Sequence, residues 1–463
     1  MLSNSLVALD RAHLIHPVTS YRGHEQRGVT VLQSGRGAFV TDSSGRELID
    51  GFAGLWCVNA GYGQQSIVDA AAEQMRRLPY ATGYFDLGSE PAIRLAARLA
   101  ELAPGDLDHV YFTLGGSDAV DSAVRFIQYY FNALGRPEKK QVITLEHGYH
   151  GSSSIGAGLT ALPTFHRGFD LPLPWQHRIP SPYPYRNPVG DDPAAIIAAS
   201  VQALQGKVAE LGQEQVAAFF CEPIQGSGGV IVPPDGWLKA MREACRALDI
   251  LFVADEVITG FGRTGTMFAC EPEGVVPDLM TLAKGLTSGY LPMGAVLLGE
   301  RVYAAIADGA GPEVPVGHGF TYSGHPVSAA AGLETLRLYS EEGLLENGRR
   351  MGDRLLAALC AVSEHPLIGD ARGRGLLAAL ELVCDKDTKA KFDPALKLGQ
   401  RLFDRAYANG LIIRGFADGT IGFAPPLCCS AADIDLIVER VTRTLTDLLE
   451  ETDIRAALRR PAG

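Results

Sequence analysis

The sequence predicts an α/β protein: a large domain on a mostly parallel sheet, followed by a smaller α+β domain. Three observations carry this. Between residues 64 and 325, helical patterns alternate with short strand-like runs at 110–114, 142–145, 216–220, 251–254, 279–282 and 295–298. Several of these, such as Val216-Ala217-Ala218-Phe219-Phe220, are continuously apolar, as strands buried on both faces of a parallel sheet must be. From about residue 328 the rhythm changes to alanine- and leucine-rich helices with a few interspersed strands.

In chain order, the first elements stand apart. A short helical pattern (Leu6, Leu9, Leu14, Ile15) stops at Pro17. Strand-like pieces at 29–32 and 38–41 follow, with turns at Gly35-Arg36-Gly37 and Asp42-Ser43-Ser44-Gly45, which predicts a small antiparallel sheet. Residues 51–63 are rich in glycine and aromatics. Trp56 and Tyr62 there suit either core packing or the lining of a flat ligand pocket. Helices are expected at 65–77 and 91–103, and beyond 328 at 328–341, 343–361, 394–408 and 431–450. Strands are expected near 376–382, 411–414 and 420–424. The domain boundaries follow: an N-terminal segment 1–60 that packs with the small domain, a large domain 61–327, and a small domain 328–463.

Composition excludes several functions. A net charge of -12 argues against a nucleic-acid or anionic-membrane partner. The eight cysteines show no metal-ligand spacing and read as reduced thiols of a cytoplasmic protein. The opening residues have no apolar core of a signal peptide, and no apolar run reaches membrane-spanning length.

Ligands of such sheets sit beyond the carboxyl ends of the strands, so the residues just after each strand are the candidates. After the first run comes Gly116-Ser117 opening a helix, whose free N–H groups and dipole can cradle a phosphate. An ordinary turn with a serine cap is the plain alternative. After the second come Tyr149 and His150, and after the third comes Glu222. After the fourth comes Asp255, a carboxylate on an apolar strand that must be paired, with Arg263 or with a protonated ring nitrogen. After the fifth comes Lys284, between Leu282-Ala283 and Gly285-Leu286, where burial disfavours the ammonium and makes a nucleophile for carbonyls. The run Gly260-Phe261-Gly262-Arg263-Thr264-Gly265 matches a dinucleotide fingerprint, but Pro272 and Pro277 interrupt any following helix, which rejects that reading.

Phosphate cradle, ring-nitrogen carboxylate, stacking ring and buried lysine together describe a pyridoxal 5'-phosphate (PLP) site. The chain resembles the class III (ω-) aminotransferases of PLP fold type I over nearly its whole length. The resemblance rests on Gly116-Ser117-Asp118-Ala119, Tyr149-His150-Gly151, Glu222-Pro223-Ile224, the run from Asp255 to Gly265, Thr281-Leu282-Ala283-Lys284-Gly285, and residues 320–326. It implies a sheet of the seven-stranded type. Lys284 would hold PLP as an aldimine and Asp255 would pair with the ring nitrogen. Tyr149 and Val257 would cover the two ring faces, and Gly116 and Ser117 would bind phosphate. His150, Glu222 and Phe320 would complete the surroundings, and Thr321 would reach the phosphate of a neighbouring subunit in a homodimer or dimer of dimers.

Gly115 and Asp118 depart from the family's more usual Ser and Glu. The branch resembled moves an amino group from an amine, diamine or β/ω-amino acid to pyruvate by a ping-pong route. Trp56, Tyr84, Phe85, Tyr149 and Phe320 would wall the substrate pocket, and Arg414 would clamp the keto-acid carboxylate. A 2-oxoglutarate-dependent transaminase, an aminomutase or decarboxylase on the same scaffold, and a non-enzymatic relic are the alternatives.

Overall fold

The computed structural model describes residues 5–458. Its centre is a seven-stranded sheet in the order His109–Thr113, Gly294–Leu298, Leu279–Leu282, Leu251–Asp255, Val216–Cys221, Gln141–Leu145, Gln176–Ile179. Gly294–Leu298 runs antiparallel to both neighbours, and the remaining pairs are parallel. The continuous apolar runs have the expected cause. Phe219, Phe252, Met280 and Leu297 face one buried cluster, while Phe220, Val253, Leu279 and Val296 face another on the opposite side. The first face is covered by helices that include Glu90–Leu102, Trp237–Ala247 and Pro326–Glu341, the second chiefly by Gly116–Ala133. The sequence reading missed the edge strand Gln176–Ile179. Its Gln-His-Arg-Ile composition carries no apolar run, and it pairs on one side only.

Two smaller sheets flank the large one. Strands Leu32–Arg36, Phe39–Asp42 and Glu47–Asp50 form antiparallel pairs, and Leu411–Ile412 adds in parallel to the last. Ile368–Arg374, Leu377–Leu382, Thr420–Phe423 and Arg414–Gly415 form an antiparallel sheet. The expected single strand 411–414 is therefore two short strands in different sheets. The expected strand 29–32 begins only at Leu32 and runs through Gly35, which packs on the Tyr62 ring closely enough that a Cβ would lie 2.8 Å from Tyr62 Cγ. The expected helix 394–408 is broken at Lys397, whose φ of +51° ends a short 3₁₀ turn and starts Leu398–Ala408. Gly260–Gly265 forms loop structure, and its Arg263 is buried. The guanidinium donates to Asn59 Oδ1 at 2.6 Å and to the carbonyls of Pro425 and Leu376, tying this loop to segments before and after the central sheet. No helix among the described residues is long and apolar enough to cross a membrane.

Candidate active site

The carboxyl ends of the parallel strands open into a cavity of about 350 Å³, within the usual range for small-ligand sites. Gly116, Ser117, Tyr149, His150, Glu222, Asp255, Val257 and Lys284 all line it. Each arrives because its strand ends there: Asp255 closes Leu251–Asp255, Glu222 follows Val216–Cys221, and Lys284 lies two residues past Leu279–Leu282. Met293 enters the same cavity because its strand runs the other way and begins at this edge.

Asp255 is buried, and its partner is His150 rather than Arg263. Its Oδ2 lies 2.8 Å from His150 Nδ1, and its Oδ1 accepts the Val257 N–H at 3.2 Å. His150 Nε2 is buried without a hydrogen-bond partner among the described residues. The pairing of these two residues was invisible in the sequence, since 105 residues separate them. Lys284 is half-buried because its side chain faces the cavity. Burial lowers its ammonium pKa, against the opposing pull of the Asp255 and Glu222 carboxyls. Its backbone sits at φ +42°, in the left-handed region that a lysine rarely adopts. At Gly116 a Cβ would lie 2.9 Å from Val257 Cγ1, so only glycine lets that helix start come this close. The helix Gly116–Ala133 has no side-chain cap, which leaves first-turn N–H groups available at the cavity.

Glu222 is buried between backbone donors, accepting from the Tyr149 N–H at 2.8 Å and the Gly226 N–H at 2.9 Å. Burial pushes its carboxyl up to about 7, from an ordinary 4.5. Between those pH values the folded chain keeps a proton that the unfolded chain has released. Stability therefore falls as pH rises from about 4.5 to 7, by about 3 kcal/mol, and is flat above. Glu222→Gln removes that slope. The cofactor-free variant should melt above the parent at pH 8 and gain much less at pH 5. A gap that does not change with pH would refute the shift.

The expected substrate wall is divided: Tyr149 lines the cavity, and the other four aromatics do not. Trp56 does not line the cavity. It is 1% exposed and packs on Phe52, with ring centroids 4.2 Å apart. Left-handed backbone at Ala53, Gly54 and Trp56 turns Leu55 into the cavity instead. Tyr84 and Phe85 lie outside on an exposed segment, Phe85 at 87% exposure, and Phe320 and Thr321 are also outside the cavity. Arg414 is not in the cavity but in an adjoining groove, where Leu55 separates the two. Its guanidinium carbon stands 4.6 Å from the centre of the Phe416 ring, and burial lowers its pKa. Leu55, Ile258 and Met293 are lining residues the sequence did not reveal, because apolar side chains there look like core.

A family profile described as "Aminotransferase class-III" matches residues 21–445. The chain belongs to the class III aminotransferases. It is 40% identical over 439 residues to the putrescine–pyruvate aminotransferase of Pseudomonas aeruginosa, covering 95% of each chain. It is 39% identical over 463 residues to the diaminobutyrate–2-oxoglutarate transaminase of Halomonas elongata, covering 98% of this chain and 99% of that one. The ω-transaminase of Pseudomonas jessenii, solved in complex with PMP, superposes with a TM-score of 0.94 at 40% identity, covering 96% of this chain and 99% of that one. Class III aminotransferases are PLP enzymes of fold type I, and this one is a transaminase using that cofactor. The aminomutase, decarboxylase and relic alternatives fall away with that assignment.

Proposed function

We propose that this class III aminotransferase transfers the amino group of a primary amine, diamine or β/ω-amino acid to pyruvate, giving alanine, by a ping-pong mechanism. The observation that carries the reading is Arg414 in a groove beside the Lys284 cavity, together with the 40% identity to a putrescine–pyruvate enzyme. An arginine there can grip a keto-acid carboxylate through two parallel N–H donors. Standing outside the cavity, it leaves room for amines that lack a carboxylate.

The residues fit PLP. The bare helix start at Gly116, which a Cβ would obstruct, suits a phosphate. Asp255 and the unpartnered His150 Nε2 give a charged, preorganised wall for a ring nitrogen. Tyr149 and Val257 supply surfaces for the two ring faces, and Glu222 holds the Tyr149 backbone in register. Bound to Lys284, the cofactor supplies the electron sink for the carbon that loses its proton. Lys284 Nζ, displaced by the donor amine, then takes the proton from that carbon and returns it at the far end of the transfer. Asp255, held by His150 and the Val257 N–H, would face the ring nitrogen and orient it. Arg414 orients the keto acid in the second half of the cycle.

The single-chain site is open where Tyr84, Phe85, Phe320 and Thr321 stand exposed or half-buried nearby in the fold. Tyr80 donates its hydroxyl hydrogen to the Thr321 carbonyl at 2.9 Å, which makes these two segments one surface. We take that surface to meet a second copy, with Thr321 of one copy serving the phosphate site of another in a homodimer or dimer of dimers. All eight cysteines are free thiols, which suits a cytoplasmic enzyme.

The test is the visible spectrum of the purified holoenzyme. A primary amine should bleach the cofactor band and pyruvate should restore it. Recovery with 2-oxoglutarate alone would make the acceptor that of the Halomonas elongata relative and overturn the pyruvate reading. In the same assay Arg414→Ala should raise KM for pyruvate by about 10- to 100-fold, the worth of a charged hydrogen-bonded pair. Its KM for a plain amine should change little, and equal effects on both would refute the clamp.

A further inference from the structure

Outside the cavity, the N-terminal segment brings three ligand-type side chains together. Asp10 lies on the helix Leu6–His13, His24 on the helix Tyr21–Arg27, and His16 in the link between them. His16 Nε2 lies 2.6 Å from Asp10 Oδ1, and His24 Nε2 lies 2.6 Å from Asp10 Oδ2. The three donor atoms all lie within 4.8 Å of one another. The imidazole centroids are 4.5 Å apart.

Two features separate this from a plain hydrogen-bonded trio. First, Asp10 is only 9% exposed as a side chain, yet among the described residues no lysine or arginine pairs with it. A partly buried carboxylate with no permanent cation is short of positive charge. Second, the convergence is sided. His16 keeps 26% of its side chain exposed, so the cluster is open to water on one edge. Three N/O donors from protein plus a water make a four-coordinate site for a borderline divalent metal.

We propose that Asp10, His16 and His24 bind a divalent transition metal of the zinc type and that this metal fastens the N-terminal helices together. The donor set of two imidazole nitrogens and one carboxylate oxygen suits Zn²⁺, Co²⁺, Ni²⁺ or Cu²⁺ and not Ca²⁺ or Mg²⁺, which prefer all-oxygen ligands. Metal–ligand bonds of about 2.0–2.2 Å in a tetrahedron put neighbouring donors about 3.4 Å apart, between the 2.6 Å of the two Asp10–imidazole contacts and the 4.8 Å that bounds all the donor separations. Each imidazole binds as the neutral ring, with its proton at Nδ1 and the Nε2 lone pair on the metal.

The consequence is local order. Neither helix buries a residue in this chain, so few apolar contacts hold them. The second helix nevertheless rims the groove that holds Arg414, through Gly23, Gln26 and Arg27. A metal at the trio ties that rim to the preceding helix. This is independent of which keto acid the enzyme accepts.

The experiment is calorimetric titration of the tag-free, full-length holoenzyme with Zn²⁺, and with Co²⁺ monitored by its visible bands. The parent should bind one metal per chain. The His16→Ala/His24→Ala double variant should bind at least about 100-fold more weakly, because loss of ligands costs more than the 10- to 100-fold of losing their outer partners. Metal should also slow tryptic cleavage at Arg22 and Arg27 in the parent and not in the variant. The cofactor absorption band must be equal in both proteins, which shows that the variant is folded and that binding is not at PLP. No uptake by the parent at about 100 μM Zn²⁺, far above structural-site affinities, would overturn the proposal. So would equal uptake by the double variant.

Discussion

Lys284→Ala should abolish multiple turnover, with kcat falling by about 10⁴-fold or more, because in the mechanism we propose one side chain serves as both nucleophile and proton carrier. The geometry explains why nothing nearby can replace it. Strand Leu279–Leu282 delivers the chain to the cavity edge, and a 3₁₀ turn at Lys284–Leu286 stops it there. The turn is clamped from two sides. Tyr339 donates its hydroxyl hydrogen to the Gly285 carbonyl at 2.7 Å, and a Cβ on Gly285 would lie 2.6 Å from Asn59 Nδ2. The left-handed backbone at Lys284 costs on the order of 1–3 kcal/mol, which this surrounding structure holds in place. Lys284→Arg is the informative companion. It keeps the positive charge and the length, but its guanidinium does not give up a proton near neutrality. If charge were all that mattered, arginine would restore activity. If a neutral amine is needed, it will be as inactive as alanine, and the covalent cofactor band will be missing in both. Either variant turning over at more than about 1% of the parent rate would remove Lys284 from its role, since acid–base catalysis alone is worth at least about 100-fold.

The contrast between what was legible and what was not has a physical origin. Lys284, Asp255, Glu222, Gly116 and Tyr149 could be placed from the sequence because a parallel sheet puts its strand ends on one edge. The apolar runs mark those ends directly. Trp56 could not be placed, because the sign of φ at Ala53, Gly54 and Trp56 decides whether the indole or Leu55 faces the cavity. No hydrophobic pattern encodes that sign. Tyr84, Phe85 and Phe320 were expected in the pocket wall and stand outside the cavity that this chain forms, because a run of aromatics does not say which rings the fold turns toward a site. Lys397 illustrates a third kind of limit: the helical pattern continues through the break, and the left-handed residue itself is neither glycine nor proline, although Pro394 opens the short turn before it. His150 shows the reverse. The motif Tyr149-His150-Gly151 pointed at the site, but only the fold reveals that the histidine spends its Nδ1 on Asp255.

Asp255→Ala should lower kcat by about 10³-fold while leaving the covalent attachment at Lys284 possible. The carboxylate is held where a ring nitrogen would meet it, with one oxygen on His150 Nδ1 and the other on the Val257 N–H. A unit charge pair at about 4 Å, screened as protein sites usually are, is worth about 4 kcal/mol. At about 1.4 kcal/mol per decade, that is about 10³ in rate. The effect should fall on kcat more than on KM, because the charge balance matters most when electrons move into the ring. Asp255→Asn separates charge from shape. The amide can still occupy the position and bond to His150, so it should retain the fold and the cofactor yet lose nearly as much rate as alanine. Asn retaining most of the parent kcat would mean that hydrogen bonding, not charge, is what Asp255 contributes. His150→Ala gives the complementary result. It removes a neighbour that orients the carboxylate without removing the carboxylate itself, so its loss should be smaller than that of either Asp255 variant, about 10- to 100-fold by analogy with outer-partner losses. Equal losses for His150→Ala and Asp255→Ala would move the decisive contact from the carboxylate to the imidazole, whose Nε2 has no hydrogen-bond partner among the described residues.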